Sequence, residues 1–139
     1  MRYIKTEVLK LLISFFGEDS RRIEHALCVM KHAEDIARSY THWDYDVLIA
    51  AALLHDVGIK PSEEQFGYNN GHTQEEYGPA AAGRLLREIQ FPEDKIEKVC
   101  AIIGNHHSVS RYDYSELAIL KKADALVNRK ESEAEKRRV

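Results

Sequence analysis

Between Ile4 and Phe15 apolar residues return at helical spacing: Ile4, Val8, Leu11, Leu12 and Phe15 fall on one face. Arg2 and Lys5 ahead of "VLKLLISFF" give this stretch the outline of a secretory leader. However, Lys10 interrupts the apolar run and Phe16-Gly17-Glu18-Asp19 is no small-residue cleavage site, so the stretch reads as an amphipathic first helix. Gly17 and the polar residues after it make a break, with Ser20 as the expected N-cap of a second helix. That helix is expected from about 21 to 40, with Ile23, Leu27, Met30, Ala33 and Ala37 inward. The polar turn "THWD" leads to a third helix, about 44 to 57, which is apolar almost all round and therefore central and buried.

Residues 58–77 are rich in Gly, Asn, Gln and Tyr and read as a long loop, with Gly58 as the C′ residue of the third helix and Pro61 blocking its continuation. Loops of that length inside a compact domain are usually functional or mobile. Gly78-Pro79, with Pro79 at N1, opens a fourth helix to about 90. Phe91-Pro92-Glu93-Asp94 opens a fifth in the same way, to about 105. A sixth starts near Ser115 and carries Leu117, Leu120, Ala123 and Val127 as its inner stripe. The tail "ESEAEKRRV" is charged throughout, which fits either a solvated helix extension or a disordered end. Nothing reads as a strand. The expectation is an all-α, compact bundle of about six helices forming one domain over residues 1–139.

Bulk properties narrow the function. A chain of 139 residues can build a core without disulfides. Apolar residues make up 44% and charged residues 31%, as in ordinary soluble domains. The net charge of −3 argues against a nucleic-acid polymer as the main partner, while small anionic substrates stay open because a metal or a local cation can handle them. Cys28 and Cys100 stand alone in apolar surroundings, form no CxxC, and read as small buried hydrophobes in a reducing compartment. No apolar run is long enough to span a membrane, so a cytoplasmic location is expected.

One feature breaks the greasy pattern. The apolar run "VLIAAALL" finishes in His55-Asp56, and a buried carboxylate without a partner is costly. His106-His107 ends the fifth helix in the same manner after Val99, Ile102 and Ile103. Asp124 sits in the inner stripe of the sixth helix, and His25 lies beside Ala26 and Leu27 of the second. Ionisable groups thus occupy inward or terminal positions on four helices. A divalent metal satisfies them together, offsetting carboxylate charge and taking imidazole lone pairs. Near a helix end His55 and its neighbour can converge on one ion, and an Asp so placed can turn its two oxygens toward two ions. Singly, each residue has a plainer reading: a capped helix end for His55-Asp56, a satisfied core carboxylate for Asp124, and a dipole-favoured helix end for His106-His107.

The order His25, His55-Asp56, His106-His107, Asp124 resembles the HD-domain superfamily of metal-dependent phosphohydrolases, in its small stand-alone bacterial and archaeal form, over roughly residues 20–130. The stretches "ALLHDVGIK", "GPAAAGRLL", "KVCAIIGNHH" and "ILKKADALVN" are similar to it. The resemblance implies that His25, His55, Asp56 and Asp124 form the metal signature. In members with two metals, a further His and a His pair hold the second ion; His72 and His106-His107 are similarly placed, with His72 at a looser spacing before Gly78. In similar proteins a Lys in the position of Lys60 faces the phosphate, the alternative being a solvated loop Lys. Asn128 either orients a ligand or caps its helix, and Arg111 with Tyr112 and Tyr114 either walls the pocket or lies on the surface. His32 reads as packing or surface and His42 as loop.

An imidazole and carboxylate set without thiolate suits Mn, Fe, Co, Ni or Zn, as one ion or two, better than an all-oxygen Mg cage. One ion leaves Asp56 and Asp124 near neutral; two leave +2, matched to a phosphate dianion. The expected reaction is hydrolysis of a small phosphate ester, nucleotides among the candidates, by in-line attack of a metal-activated water. Lys60 would steady developing charge, and the proton would be shuttled by a His of the 106–107 pair, His106 being the candidate, or by an ionised Asp, Asp56 being the candidate. The expected partners are that substrate and a second copy of the chain, with no membrane. Two other classes stay open: a di-iron HD-fold oxygenase, and a non-catalytic metal-binding sensor.

Overall fold

The computed structural model describes residues 3–137, and its regular structure is seven α-helices: α1 (Ile4–Phe16), α2 (Ser20–Ala37), α3 (Tyr45–Leu54), α4 (Ile59–Phe66), α5 (Gly71–Glu88), α6 (Glu93–Ile103) and α7 (Ser115–Arg137). The described residues are all-α, as the hydrophobic pattern predicted. Every residue of α3 from Val47 to Leu54 is buried, and α1, α2, α6 and α7 pack around it. The α2–α7 and α5–α6 pairs are the most extensive contacts between helices. No helix among the described residues is long and apolar enough to cross a membrane.

Local chemistry sets the boundaries. Asp19, not Ser20, caps α2: its carboxylate accepts from the Arg22 N–H. The buried stripe of α2 is Ala26, Val29, Met30, Ala33 and Ala37, while Ile23 and Leu27 are only partly covered. Asp44 caps α3 by accepting from Val47 N–H at 3.2 Å. Its own N–H donates to the buried Glu116 of α7, at 2.6 Å. The expected inner stripe of α7, Leu117, Leu120, Ala123 and Val127, is buried, together with Asp124. The charged tail continues α7 to Arg137 as an exposed helix; residues 138 and 139, like Arg2 of the leader-like stretch, lie outside the described residues. Cys28 is exposed rather than buried, and Cys100 is partly covered with its thiol donating to Pro79 O.

The main correction concerns residues 58–77. They hold a complete short helix, α4, and the first two turns of α5. Gly58 is not a left-handed C′ residue; its φ of −66° keeps the chain right-handed between α3 and α4. Pro61 lies in the first turn of α4, where a missing N–H costs nothing. Gly67 is the true left-handed cap, at φ 78°. Asn70 starts α5 with a capping box: its side chain accepts from Thr73 N–H while the Thr73 hydroxyl oxygen accepts from Asn70 N–H. Pro79 therefore sits inside α5 rather than at its start. An interior proline costs about 3 kcal/mol. The capping box and the burial of Thr73, Gln74, Gly78, Ala81 and Ala82 offset that cost.

Candidate metal centre

α3 runs directly into His55 and Asp56. His55 follows at φ −61°, ψ −28°, so its ring turns inward rather than out to solvent. Its Nδ1 donates to Ala52 O at 2.7 Å, using a carbonyl left free at the helix end. His106, beyond the end of α6, repeats the device: its Nδ1 donates to Ile103 O at 2.6 Å. Both bonds select the tautomer in which Nε2 carries the lone pair, and both Nε2 atoms are buried with no hydrogen-bond partner. An orphaned buried ring nitrogen is costly, and two beside a carboxylate call for a ligand.

Asp56 and Asp124 face those nitrogens. Asp56 Oδ2 lies 3.3 Å from His55 Nε2 and 3.4 Å from His25 Nε2. Asp124 Oδ1, arriving from α7, lies 3.3 Å and 3.1 Å from the same two atoms. The other Asp56 oxygen, Oδ1, is 3.9 Å from His106 Nε2. The two carboxylates thus converge on one pair of imidazoles, and Asp56 turns its second oxygen to another. One set of ligand atoms, from His25, His55 and Asp56, falls within 4.8 Å of one another; a second does so from Asp56, His106 and His107.

This donor set fits a divalent transition-metal ion: neutral imidazoles, carboxylates, no thiolate, and ring orientations fixed by bonds at the far nitrogen. The electrostatics agree. Burial by itself would push the His55 pKa down, but Asp56 and Asp124 more than offset this and hold it well above its ordinary value. Burial likewise opposes ionisation of Asp56, yet His55 and His106 hold its carboxyl well below the usual range. Asp124 is lowered against its own burial by His25 and His55. The carboxylates stay charged inside the protein and demand positive charge, whether from protons on the imidazoles or from a cation.

With this geometry in place, comparison with known proteins is decisive at one level. The HD domain family model matches residues 22–129, from the start of α2 to within α7. The chain belongs to the HD-domain family. HD domains are generally metal-dependent hydrolases, and the His/Asp cluster is compatible with that chemistry. A curated relative, the uncharacterized protein YwfO of Bacillus subtilis (strain 168), is 26% identical over an alignment covering 70% of this chain and 26% of YwfO. This HD domain therefore spans about a quarter of that relative's length. No solved structure matches it.

Other residues read from the sequence lie elsewhere. His72 does not join the cluster; its side chain is 85% exposed on the first turn of α5 and pairs with Glu76 one turn on. His107 comes closer, its ring 3.9 Å from that of His106, with Nε2 bonded to Gln74 Oε1 at 2.6 Å. Lys60 is drawn to α1, donating to Phe15 O at 2.9 Å and lying over the Phe15 ring, against a separate cavity. Arg111 braces the turn after α6, through Asn105 Oδ1 and Gly104 O. Tyr112 and Tyr114 stack on each other rather than wall the centre.

Asn128 does border the HD centre. It lines a polar cavity of about 490 Å³ with His25, Asp56, Arg22 and Glu131. Arg22 and Glu131 were not singled out in the sequence, where they read as ordinary surface charge. Arg22 precedes His25 by three positions and Glu131 follows Asp124 by seven, so each shares a helical face with a ligand residue. Arg22 makes a forked pair with Glu63 of α4, at 3.0 and 3.2 Å.

The raised pKa values of His25 and His55 fix the sign of a pH effect. A group raised on folding contributes stability below its unfolded pKa, about 6.5 for His, and loses it as pH climbs through the folded value. Asp56 and Asp124 are lowered, so their contribution persists across that window and fades only in acid. Metal-free protein should therefore become more stable as pH falls through the raised folded-state values of His25 and His55 toward about 6.5. Metal-induced stabilisation should shrink over the same range, because protons compete for Nε2. Thermal melts with and without Mn²⁺ check this; curves that ran parallel would contradict it.

Proposed function

We propose that this HD domain is a metal-dependent phosphohydrolase acting on a small phosphate ester, nucleotides being among the candidates. The observation that carries the reading is the pair of orphaned Nε2 atoms, on His55 and His106, facing the Asp56 carboxylate beside an open polar cavity. His25, His55, Asp56 and Asp124 would hold one divalent transition-metal ion, and Asp56, His106 and His107 would contribute to a second. When bound, such an ion polarises a phosphoryl oxygen and lowers the pKa of water toward about 7.

The protein's own groups supply the rest. Arg22 takes over the phosphate-facing role expected of Lys60: its guanidinium has five donors, of which the Glu63 fork uses two while Asp19 pairs with Nη1 at 3.3 Å, and it lines the cavity. Asn128 offers an amide on the opposite helix to orient the ester. Asp56, held ionised, keeps an acceptor oxygen at the cavity's edge, and His106, its Nδ1 fixed by Ile103 O, can pass a proton through Nε2.

The test is metal analysis of purified protein beside a hydrolysis screen. Phosphate monoesters, nucleotides and cyclic dinucleotides would be offered with Mn²⁺, Fe²⁺, Co²⁺, Ni²⁺ or Zn²⁺. Release of inorganic phosphate or of a cleaved nucleotide, abolished by a chelator and restored by metal, is the expected result. Protein that carries metal yet turns over none of them would overturn the reading.

A further inference from the structure

His55 and His106 have their far ring nitrogens tied to backbone carbonyls, Ala52 O and Ile103 O, that the fold itself supplies. His25 has no such carbonyl. Its Nδ1 instead meets the carboxylate of Glu131, 3.1 Å from one oxygen and 3.0 Å from the other, while its Nε2 faces Asp124 and Asp56. Glu131 comes from the last third of α7, in the run of charge beyond the buried stripe. Its neighbour one turn on, Glu135, pairs with Arg21 of α2 at 3.0 Å, so two contacts stitch this exposed end of α7 to α2.

We infer that Glu131 is a positioning residue for the metal centre, reaching it from the exposed part of α7. Resting on the metal-centre reading above, this goes beyond the ligand set. The ring of His25 is only 12% exposed and must present Nε2 to the cluster. A ring that accepted a hydrogen on Nε2, or turned about its Cβ–Cγ bond, would lose that lone pair. The Glu131 carboxylate accepts from Nδ1–H and so holds both tautomer and orientation, as a carboxylate does for a ligating imidazole. Because the Glu131 side chain is half exposed, its loss leaves no buried charge behind and no cavity, which separates a role at the site from a role in the core.

The experiment uses the full chain and Zn²⁺ as the probe. Affinity is measured by competition with a chromophoric chelator for wild type, Glu131→Ala, Glu131→Gln and Glu135→Ala. Loss of a partner to a ligating imidazole typically weakens metal binding about 10–100-fold. Glu131→Ala should show a loss of that order, Glu131→Gln, which keeps an acceptor for Nδ1–H, should recover part of it, and Glu135→Ala should bind as wild type does. The ring-nitrogen NMR signals of His25 in the zinc-loaded protein provide a readout that a merely structural role would leave alone: Glu131→Ala should shift them while those of His55 stay in place. A Glu131→Ala protein that binds Zn²⁺ as tightly as wild type, with unmoved His25 signals, overturns this inference alone. A wild type that takes up no Zn²⁺ overturns it together with the metal-centre reading.

Discussion

Replacing Asp56 with Asn should abolish metal-dependent activity, lowering hydrolysis by at least about 1,000-fold, or ~4 kcal/mol of transition-state stabilisation. The reason lies in the two oxygens. Oδ2 faces His25 and His55 Nε2, and Oδ1 faces His106 Nε2, so Asp56 alone among the cluster's carboxylates is shared by both sets of ligand atoms. Asp124 presents Oδ1 only to His25 and His55. Asp56→Asn should therefore empty both positions, whereas Asp124→Asn should weaken the first and spare the second. An amide keeps the shape of the carboxylate but removes the charge that offsets a dication. The fold should tolerate the change: His55, whose raised pKa rests on the carboxylates beside it, can lose its proton once Asp56 is neutral, and no uncompensated buried charge remains. Metal content, hydrolysis and thermal melts of the two variants decide it. Two metals still bound to Asp56→Asn, at wild-type affinity, would show that the carboxylate does not bridge the sets.

The residues that converge at this centre were legible where chemistry contradicted pattern. His55-Asp56 closing an apolar run, and Asp124 inside a stripe of Leu and Val, are groups that burial penalises, so their presence in the sequence by itself demands a partner. Charge on a solvated surface carries no such penalty. Arg22 and Glu131 stand among Arg, Glu and Lys neighbours that need no explanation, and only their three- and seven-residue offsets from His25 and Asp124 set them apart. The α4–α5 region failed for a different reason. Its Gly58, Pro61, Gly67, Gly78 and Pro79 all read as chain breakers, but each answers a separate demand: a close approach, a first-turn position, a true left-handed cap, a close approach again, and a proline that a buried helix absorbs. Single-residue propensity cannot rank those meanings, because the deciding term is which backbone lies opposite. The same limit misplaced Lys60 and His72. Both sit in first turns, where a shift of one or two residues in the helix start swings a side chain from the centre to the outside.

Gly58→Ala should destabilise the protein by about 3 kcal/mol, at the upper end of what overpacking costs, and should loosen the metal centre as well. At φ −66° the backbone would accept any L-residue, and the smaller unfolded-state entropy of Ala would by itself favour the variant by about 0.4–1 kcal/mol. The penalty is therefore purely steric. A Cβ built on Gly58 meets Gln74 O at 2.6 Å, Gly78 N at 2.7 Å and Gly78 Cα at 2.9 Å, all of them backbone atoms of α5 that cannot turn aside. Relief requires α5 to move away from the turn that holds His55 and Asp56, which also shifts Gln74 under His107. Gly78→Ala supplies the contrast. Its Cβ would meet a single side-chain atom, the Ile103 Cγ2 methyl at 2.8 Å; Ile103 is β-branched and fully buried, so it must repack rather than rotate, and about 2 kcal/mol is expected, with metal affinity less affected because no backbone beside His55 and Asp56 is pushed. Chemical denaturation and metal titration of the two variants separate the cases. If Gly58→Ala were as stable as wild type, α5 would be free to slide over the HD turn, and the rigid seat on which Asp56 depends would not exist.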